Sequence, residues 1–312
     1  EVKTLEDAWI AQVTDQLGEI IGTTETVFDN YDADGNRLPR KMETNTGDFA
    51  ADALYYLFDN MGLDVDCAIM NGGGVRNKAI TGDISYKTCK DIHTFGNVAC
   101  LQTISGQQLL DALEWGAKDA QPDGGKENGG FLQVSGIQYE IHTSIESSVQ
   151  KDDKGVWVGG PTGEYRVKNV MVKNRETGAY EPLDLNGKYN LAGYNYTLRD
   201  LGDGFAMFDG AVNVLDYVAQ DYMVLANYVQ SFPKNSAGLS VITGYENLTG
   251  AGRITLVNEK AEEPVVQPEE PVVIAPVEPE PTVYVVVKGD CLWTISQKFY
   301  GTGTKWGNIY NA

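Results

Sequence analysis

A run of prolines and glutamates after Asn258 divides this 312-residue sequence into two unequal parts. The segment EKAEEPVVQPEEPVVIAPVEPEPT, residues 259–282, contains six of the eleven prolines and seven glutamates against one lysine. Proline removes a backbone donor from helices and sheets, and like charges keep a chain extended. The sequence therefore predicts a semi-rigid linker over residues 259–283, preceded by a large domain and followed by a short module at residues 284–312.

The formal net charge of -20 belongs mainly to the large domain, since residues 1–258 carry -16. A nucleic-acid polymer normally binds a basic surface, so we expect no such partner, although a few arginines can attract a small phosphorylated ligand. No apolar run reaches about 18 residues, which predicts no membrane span. No signal peptide is visible at Glu1, so either one has been removed or the sequence begins within a longer protein.

The cysteines and histidines form neither a metal-binding nor a disulfide pattern. The four cysteines show no CxxC spacing, and Cys67 and Cys100 lie in apolar runs that are typical of buried thiols. The two histidines, His93 and His142, are too few for a histidine-rich catalytic metal cluster. We therefore expect no metal site in this chain.

Helical and strand patterns are mixed in the large domain. An apolar stripe at helical spacing predicts a helix over residues 1–22, which would connect this domain to a preceding one. A second helix is predicted to begin at a cap formed by Asn45 or Thr46 and to end at Gly62. A buried strand is predicted over residues 65–70.

The later part of the domain continues this mixture. Ser105 and Gln108 form a capping-box pattern that opens a third helix. A hairpin turning at Gly178, a long helix over residues 214–232 and a strand at residues 252–257 are also predicted. Without a regular βαβ alternation, the pattern favours an α+β fold over a doubly wound sheet.

The stretch IMNGGGVRNK, residues 69–78, places three glycines between a predicted strand and Arg76. Glycines after a strand can adopt positive φ and bring backbone N–H groups close to an anion. Arginine offers a planar fork for phosphate or ribose oxygens. The alternative is a tight turn without a ligand, and neither a GxGxxG motif nor a P-loop is present.

Two further stretches could present aromatic rings to a ligand. HTFGNV contains Phe95 beside a glycine, and NYTLRDLGDGF contains Tyr196 shortly before Asp203 in a GDG turn. Two projecting rings could stack on a nucleobase, and a carboxylate could accept hydrogen bonds from ribose hydroxyls. Taken singly, each could equally be a core aromatic or a solvated aspartate in a turn.

Six motifs together resemble the C-terminal domain of the 5'-nucleotidase family, over about residues 20–257, and the implied substrate-binding domain spans residues 23–258. They are ETNTGDFAADAL, NGGGVR, GDISY, TFGNV, GGFLQVSG and GDGF, in the family's order. The family includes periplasmic UDP-sugar hydrolases, ecto-5'-nucleotidases and bacterial 2',3'-cyclic-nucleotide phosphodiesterase/nucleotidases. The resemblance implies a mixed sheet with flanking helices.

The resemblance also implies a substrate site. The implied substrate-binding residues are Arg40, Asn71, Gly74, Arg76, Phe95, Asn97, Gly129, Tyr196 and Asp203. Phe95 and Tyr196 would stack on the base, Asp203 would accept from the ribose, and the arginines would contact the ribose–phosphate part. The sequence YTLRDLGDG is one residue longer than the usual family motif and lacks its glycine pair, which affects the assignment of Tyr196.

In the family, hydrolysis takes place on a separate N-terminal metallophosphatase domain with two divalent metal ions. Its signatures, Asp-x-His, Gly-Asn-His-Glu and Gly-His-x-His, do not occur in this sequence. The resemblance therefore implies that this chain recognises the nucleotide, contains no catalytic residue and is inactive alone.

The segment YVVVKGDCLWTISQKFYG resembles the start of a LysM module, a βα fragment that stops before the last strand of the family. LysM modules bind N-acetylglucosamine polymers such as peptidoglycan. The resemblance implies glycan contacts from Gly289, Asp290 and Leu292, and Cys291 replaces the usual threonine.

These features lead to two main functional hypotheses, and a third, a LysM adhesin whose larger domain is only a spacer, would require that no nucleotide binds. The first is the substrate-binding domain of an extracellular, cell-wall-associated 5'-nucleotidase or 2',3'-cyclic-nucleotide phosphodiesterase that takes part in nucleotide catabolism. The alternative is a non-catalytic nucleotide- or nucleoside-binding module tethered to peptidoglycan.

Overall fold

The computed structural model describes residues 3, 14–122, 124–258 and 283–311. The chain forms two compact units, residues 1–262 and 263–312. In the first unit, the strands are β1 (Ile20–Phe28), β2 (Cys67–Asn71), β3 (Ile80–Ser85), β4 (Ala99–Ser105), β5 (Leu132–Ser135), β6 (Ile137–His142), β7 (Gln150–Lys151), β8 (Trp157–Gly159), β9 (Val167–Lys173), β10 (Tyr180–Pro182), β11 (Lys188–Tyr194), β12 (Val212–Leu215), β13 (Ser240–Ile242) and β14 (Ile254–Val257). Besides the helical residues 14–18, its α-helices are α1 (Asn45–Asn60), α2 (Tyr86–Ile92), α3 (Gly106–Ala117), α4 (Asn195–Leu198) and α5 (Asp221–Ser231).

The strands form mixed sheets. The five-stranded sheet has the order β12-β4-β11-β2-β5, in which β11 runs parallel to β2 and antiparallel to β4. A four-stranded sheet, β10-β9-β6-β14, and a three-stranded sheet, β13-β1-β3, also contain both kinds of pairing. The fold is therefore a mixed α/β arrangement with helices beside the sheets.

The five-stranded sheet lies between two apolar clusters. Successive side chains of a strand point to opposite faces, and β2 is buried throughout. Ala68 and Met70 belong to the cluster that contains α1, whereas Cys67 and Ile69 belong to the cluster that contains α3. Burial on both faces explains why β2 reads as a continuous apolar run, and it fixes the sheet that carries the residues discussed below.

The predicted N-terminal helix ends earlier than the periodicity suggests. Residues 14–18 are helical, residues 1–2 and 4–13 of the prediction lie outside the described part of the chain, and β1 already begins at Ile20. Residues 20–22 therefore do not continue the helix. Gly22 pairs with Ile84 of β3, and a Cβ at Gly22 would lie 2.6 Å from Val229 Cγ1. Strand pairing and close packing thus outweigh the helical spacing here.

The long helix predicted over residues 214–232 is also shorter in the structure. Its first residues form β12, in which Val212 pairs with Thr103 of β4, and α5 begins only at Asp221. Tyr217 has φ 55°, in the left-handed region, so a continuous right-handed helix cannot pass through it. Residues 212–215 are a strand and not a helix because they pair with β4 at the edge of the sheet.

The cap of α1 differs from the prediction by one residue. Thr44 is the N-cap, and its hydroxyl accepts a hydrogen bond of 3.0 Å from the N–H of Gly47. The amide of Asn45 donates instead to the carbonyls of Val27 and Tyr245, both at 2.9 Å. These tertiary hydrogen bonds divert Asn45 from capping.

Other predicted elements are confirmed. The capping box of Ser105 and Gln108 opens α3, the hairpin at Gly178 joins β9 to β10, and β14 occupies the predicted C-terminal strand. Cys67 and Cys100 are buried free thiols. Within the described ranges, no helix is long and apolar enough to cross a membrane.

The second unit contains helices α6 (Leu292–Tyr300) and α7 (Trp306–Tyr310). Gly301, with φ 67°, ends α6 in the left-handed conformation. In the described residues 283–311 no strand is assigned, so the β part of the predicted βα fragment is not observed there. A single strand without a neighbour to pair with is not stable. The predicted linker, apart from Val283, lies outside the described residues.

Candidate functional site

Four chain segments meet at one edge of the five-stranded sheet. Because β2 and β11 are parallel, their carboxyl ends lie at the same edge. The start of β4 is there too, since Ala99 pairs with Tyr194, the last residue of β11. The start of β5 completes the set, since Leu132 pairs with Asn71. The loops that leave these strand ends therefore converge.

The convergence forms a cavity of about 380 Å³. The residues that line it are Arg40, Asn71, Gly73, Gly74, Arg76, Phe95, Asn97, Gly129, Tyr196 and Asp203. All nine positions that the sequence suggested for substrate contact are among them, although they span more than half of the chain.

In the glycine run, close packing against the backbone requires a glycine at Gly72, and the positive φ that the sequence suggested is not observed. Gly72–Gly74 form a short 3-10 helix after β2, and none of them has a positive φ. A Cβ at Gly72 would lie only 1.9 Å from the carbonyl oxygen of Pro39. Gly73 donates its N–H to the carbonyl of Gly129 at 2.8 Å. The turn thus brings the segments of Arg40 and Gly129 to the cavity.

His93 supports this turn from the protein interior. Its Nδ1 lies 2.9 Å from the carbonyl oxygen of Gly74, so this nitrogen must carry the proton and donate. Burial lowers the pKa of His93, although Asp221 opposes the shift. The imidazole therefore acts as a neutral structural donor behind the glycine turn.

Two arginines contribute positive charge to the cavity. Arg76 donates from Nε to the carbonyl of Gly73 at 2.6 Å, and its guanidinium carbon lies 5.0 Å from the ring centre of Phe95. Burial lowers the pKa of Arg40, and the nearby charges of Arg37 and Arg76 lower it further. An anion beside these guanidinium groups would relieve that repulsion. The Glu127 carboxylate, with Oε2 3.9 Å from Arg40 Nη1, offsets the repulsion between the arginines only in part.

The two aromatic rings of the cavity are unusually exposed. Phe95 is 58% exposed and Tyr196 is 38% exposed, whereas most large apolar side chains of this unit are buried. Asp221 anchors the Phe95 loop, because its carboxylate accepts a hydrogen bond of 2.9 Å from the Asn97 N–H. The N–H of Asp221 in turn donates to the Asn97 carbonyl at 2.8 Å. The loop is therefore anchored while its ring faces solvent.

Asp203 has hydrogen bonds at three of its atoms. Its Oδ2 accepts from the Asn71 amide at 3.0 Å, its Oδ1 accepts from the Tyr196 hydroxyl at 3.0 Å, and its main-chain carbonyl accepts from Trp115 Nε1 at 2.9 Å. Burial and then the charge of Asp203 raise the pKa of Tyr196. The hydroxyl therefore stays protonated and donates. Each carboxylate oxygen retains a lone pair for a further donor.

The altered motif YTLRDLGDG still delivers Tyr196 to the cavity. Gly202, the one glycine left at the position of the family's glycine pair, lies directly against the ring. A Cβ there would be 2.4 Å from two of the Tyr196 ring carbons. Leu201 and Asp203 both have positive φ, which turns the longer loop back toward the cavity.

Several residues that shape the site were not found from the sequence. Gly73 lines the cavity, while Trp115, Asp221, His93 and Glu127 hold or balance lining residues. Trp115 and Asp203 are far apart in the chain, as are Asn97 and Asp221, so no local pattern indicates either pair. Gly73 could have been inferred from its position inside the glycine run.

The donor set of the described residues does not fit a dimetal centre. Among residues 3, 14–122, 124–258 and 283–311, no group of three or more His, Cys, Asp or Glu could hold a metal ion.

The residues suggested for glycan contact lie in the second unit, around the start of α6. Asp290 Oδ2 accepts from the Tyr284 hydroxyl and from the Val287 N–H, both at 2.9 Å. Gly289 has φ 109°, and Leu292, the first residue of α6, is 37% exposed. The loop is thus an ordered turn whose Asp290 carboxylate holds the turn itself.

Comparison with known proteins agrees with this arrangement. The family model for the 5'-nucleotidase C-terminal domain matches residues 20–210. The trifunctional nucleotide phosphoesterase protein YfkN of Bacillus subtilis is 25% identical over 230 residues, which are 74% of this chain and 14% of that protein. The cell wall protein Lmo0130 of Listeria monocytogenes is 27% identical over 201 residues, or 62% of this chain and 22% of that protein.

Solved structures show the same similarity. The 5'-nucleotidase precursor of Thermus thermophilus aligns with a TM-score of 0.60 and 26% identity, covering 82% of this chain and 43% of that one. The chain therefore spans less than half the length of each of these three relatives. Since the family model covers more than half of the sequence, the chain belongs to the 5'-nucleotidase C-terminal domain family.

Proposed function

We propose that this chain is the nucleotide-recognition part of a 5'-nucleotidase or 2',3'-cyclic-nucleotide phosphodiesterase. The observation that carries the proposal is the cavity itself, in which two exposed rings, two arginines and one carboxylate come from segments far apart in sequence. Each group matches one part of a nucleotide, namely the base, the phosphate and the ribose hydroxyls.

The base would stack on Phe95 and Tyr196. Both rings are exposed, and stacking of a base on an aromatic side chain contributes about 1–3 kcal/mol. Asn97 lines the same cavity and has a side-chain amide that can donate to and accept from a base edge.

The ribose would donate its two hydroxyls to Asp203, and the phosphate would bind near Arg40 and Arg76. Oxygen atoms of phosphate suit the planar donor fork of arginine. The pKa of Arg40 is lowered by burial and by neighbouring arginines, so a phosphate dianion would replace a repulsive contact with an attractive one.

We assign hydrolysis to a metallophosphatase domain outside these 312 residues, which would supply the two divalent metal ions. The described residues of this chain do not fit such a centre, so the nucleotide would be held on this domain and cleaved on the other. We place the complete protein outside the cell in association with the cell wall, a location that the similarity to a Listeria cell wall protein supports. The second unit would bind peptidoglycan through Gly289, Asp290 and Leu292 in the manner of a LysM module.

Titration calorimetry of the purified chain with adenosine, AMP and inorganic phosphate tests the nucleotide proposal. We expect weak binding of adenosine, tighter binding of AMP, and no phosphate release from AMP with added Mn²⁺. Absence of binding by both nucleosides and nucleotides would contradict nucleotide recognition. Phosphate release would contradict the assignment of hydrolysis to another domain.

The natural reading frame separates the leading proposal from a non-catalytic nucleotide-binding module. Metallophosphatase motifs upstream of Glu1 would support the enzyme, and a mature protein starting near Glu1 would favour the module. Co-sedimentation of the full chain with insoluble peptidoglycan tests the second unit, with Leu292→Ala expected to reduce the bound fraction. Equal sedimentation of both proteins would remove Leu292 from the glycan contact.

A further inference from the structure

We propose that Trp115 is a positioning residue for ribose recognition. Its indole N–H would hold Asp203 in the backbone conformation that directs the carboxylate into the cavity. This inference rests on the proposed function, because it concerns how the same site selects a ligand with neighbouring hydroxyl groups.

The conformation of Asp203 is one that an L-residue rarely adopts. Asp203 has φ 53° and ψ 16°, and Leu201, two residues earlier, also has a positive φ of 55°. Such residues remain in place only where the surrounding structure holds them. Within the described part of the chain, the main-chain carbonyl of Asp203 accepts a 2.9 Å hydrogen bond from Trp115 Nε1, which can hold this conformation.

Trp115 is itself rigidly held. Only 1% of its surface is exposed, and it lies near the C-terminal end of α3 in the second apolar cluster. The Lys118 ammonium lies 4.1 Å from the ring centre and donates to the Trp115 carbonyl and to Asn128 Oδ1, both at 3.3 Å. Gly204 packs against the ring, since a Cβ there would be 3.0 Å from Trp115 Cζ2.

The same helix end also reaches the arginine side of the cavity. The N–H of Asn128 donates to the carbonyl of Arg40 at 2.9 Å, and its side-chain amide donates to the carbonyl of Gly116 at 2.9 Å. Trp115 therefore belongs to a fixed support and is not a mobile neighbour of Asp203. A residue so placed can set the direction of a carboxylate without touching the ligand.

The consequence is a specific coupling. If the Trp115 hydrogen bond favours the carboxylate orientation that accepts two hydroxyls, then binding of the two hydroxyls must strengthen that hydrogen bond, because coupling between sites is reciprocal. A ligand without these hydroxyls should not be coupled to Trp115. A merely structural role for the ring would affect both ligands alike.

The test compares two tryptophan variants of the full chain by titration calorimetry with adenosine and 2',3'-dideoxyadenosine. Trp115→Phe keeps an aromatic ring and removes the donor. Trp157→Phe is the matched control, since the Trp157 indole nitrogen is buried, has no hydrogen-bond partner among the described residues and lies outside the cavity. We expect Trp115→Phe to weaken adenosine binding about tenfold, the size of a lost buried hydrogen bond, and to leave dideoxyadenosine within twofold.

Equal losses for both ligands, no loss for either, or the same loss in the control would overturn the inference. Equal wild-type affinity for the two ligands would also overturn it, while leaving nucleoside binding intact. Failure of the wild-type chain to bind either ligand would overturn the proposed function itself. If Trp115→Phe does not fold, hydrogen exchange of the Trp115 indole N–H in the wild-type chain tests the coupling instead. Adenosine should slow exchange at Trp115 more than dideoxyadenosine does, and equal slowing would reject the coupling.

Discussion

The Tyr196 hydroxyl donates a 3.0 Å hydrogen bond to Oδ1 of Asp203, so the proposed stacking ring and the proposed ribose acceptor are joined directly. Removing the hydroxyl should therefore have a different effect from removing the ring. We expect Tyr196→Phe to cost less than about 1.5 kcal/mol of adenosine binding, because the lost hydrogen bond joins two side chains of the protein and not the ligand, while stacking remains. Tyr196→Ala should cost roughly 1–3 kcal/mol in addition. Calorimetric titrations that give equal losses would exclude stacking by this ring.

Phe95→Ala should weaken the binding of every nucleoside by about 1–3 kcal/mol, because stacking depends little on the identity of the base. Phe95→Leu should recover only part of the loss, since it restores apolar area without a π-face. Tyr217→Ala is the control, as this ring is 67% exposed and does not line the cavity. Unchanged affinity in Phe95→Ala, measured with adenosine, uridine and guanosine, would remove the ring from the site.

Arg40→Gln should reduce the preference for AMP over adenosine while leaving adenosine affinity nearly unchanged. A hydrogen bond to a charged group contributes roughly 1.5–3 kcal/mol, so the loss for AMP should be tenfold or more. Arg175→Gln removes an arginine paired with Asp64 and Asp66, away from the cavity, and should change neither affinity. Titrations at two salt concentrations would check the result, and a similar loss for adenosine would contradict a phosphate role.

Gly72→Ala should destabilise the domain and weaken AMP binding together. The new Cβ would lie 1.9 Å from the Pro39 carbonyl oxygen, a backbone atom that can move only with the segment carrying Arg40. Forced overpacking of this kind costs about 1–3 kcal/mol of unfolding free energy. Gly18→Ala, where a Cβ meets no atom of the described residues within 4 Å, is the control for urea denaturation. Equal stability of the two variants would show that the glycine run is not packing-limited.

Asp48→Asn should change the pH dependence of stability. Burial chiefly, and Glu43 in addition, raise the pKa of Asp48 from its ordinary 3.8 to about 8, although Arg253 opposes the shift. Because the folded pKa exceeds the unfolded one, this group stabilises the fold fully below about pH 4, and the contribution is lost as the pH rises through 8. Asparagine cannot ionise, so the variant should gain unfolding free energy relative to wild type between pH 5 and pH 8.

Urea denaturation at three pH values would measure this gain. Asp59→Asn, an exposed position at the end of the same helix, provides the comparison. A constant difference between Asp48→Asn and wild type across this range would show that Asp48 is ionised in the folded state.

The sequence predicted more of the cavity lining than of its support. Phe95, Arg76 and Asp203 stand in or beside glycine-containing turns, and the order of six short motifs related those turns to one family. No sequence motif indicates Trp115 or Asp221, because their partners Asp203 and Asn97 become neighbours only through the pairing of β4, β11 and β2. Long-range strand pairing is not encoded in local periodicity, and for the same reason helical spacing misassigned residues 20–22 and 214–215.

Tyr194 and Ala99, directly paired between β11 and β4, each lie a few residues from one of the two rings. The separation of the rings is therefore governed by the spacing of adjacent hydrogen-bonded strands within one rigid sheet. Under the proposed function, the two rings already stand at the right spacing for a base, so planar heterocycles that carry neither sugar nor phosphate should bind between them as fragments. The pairing of two backbone segments would then make this domain a starting point for competitive ligands that need no phosphate group.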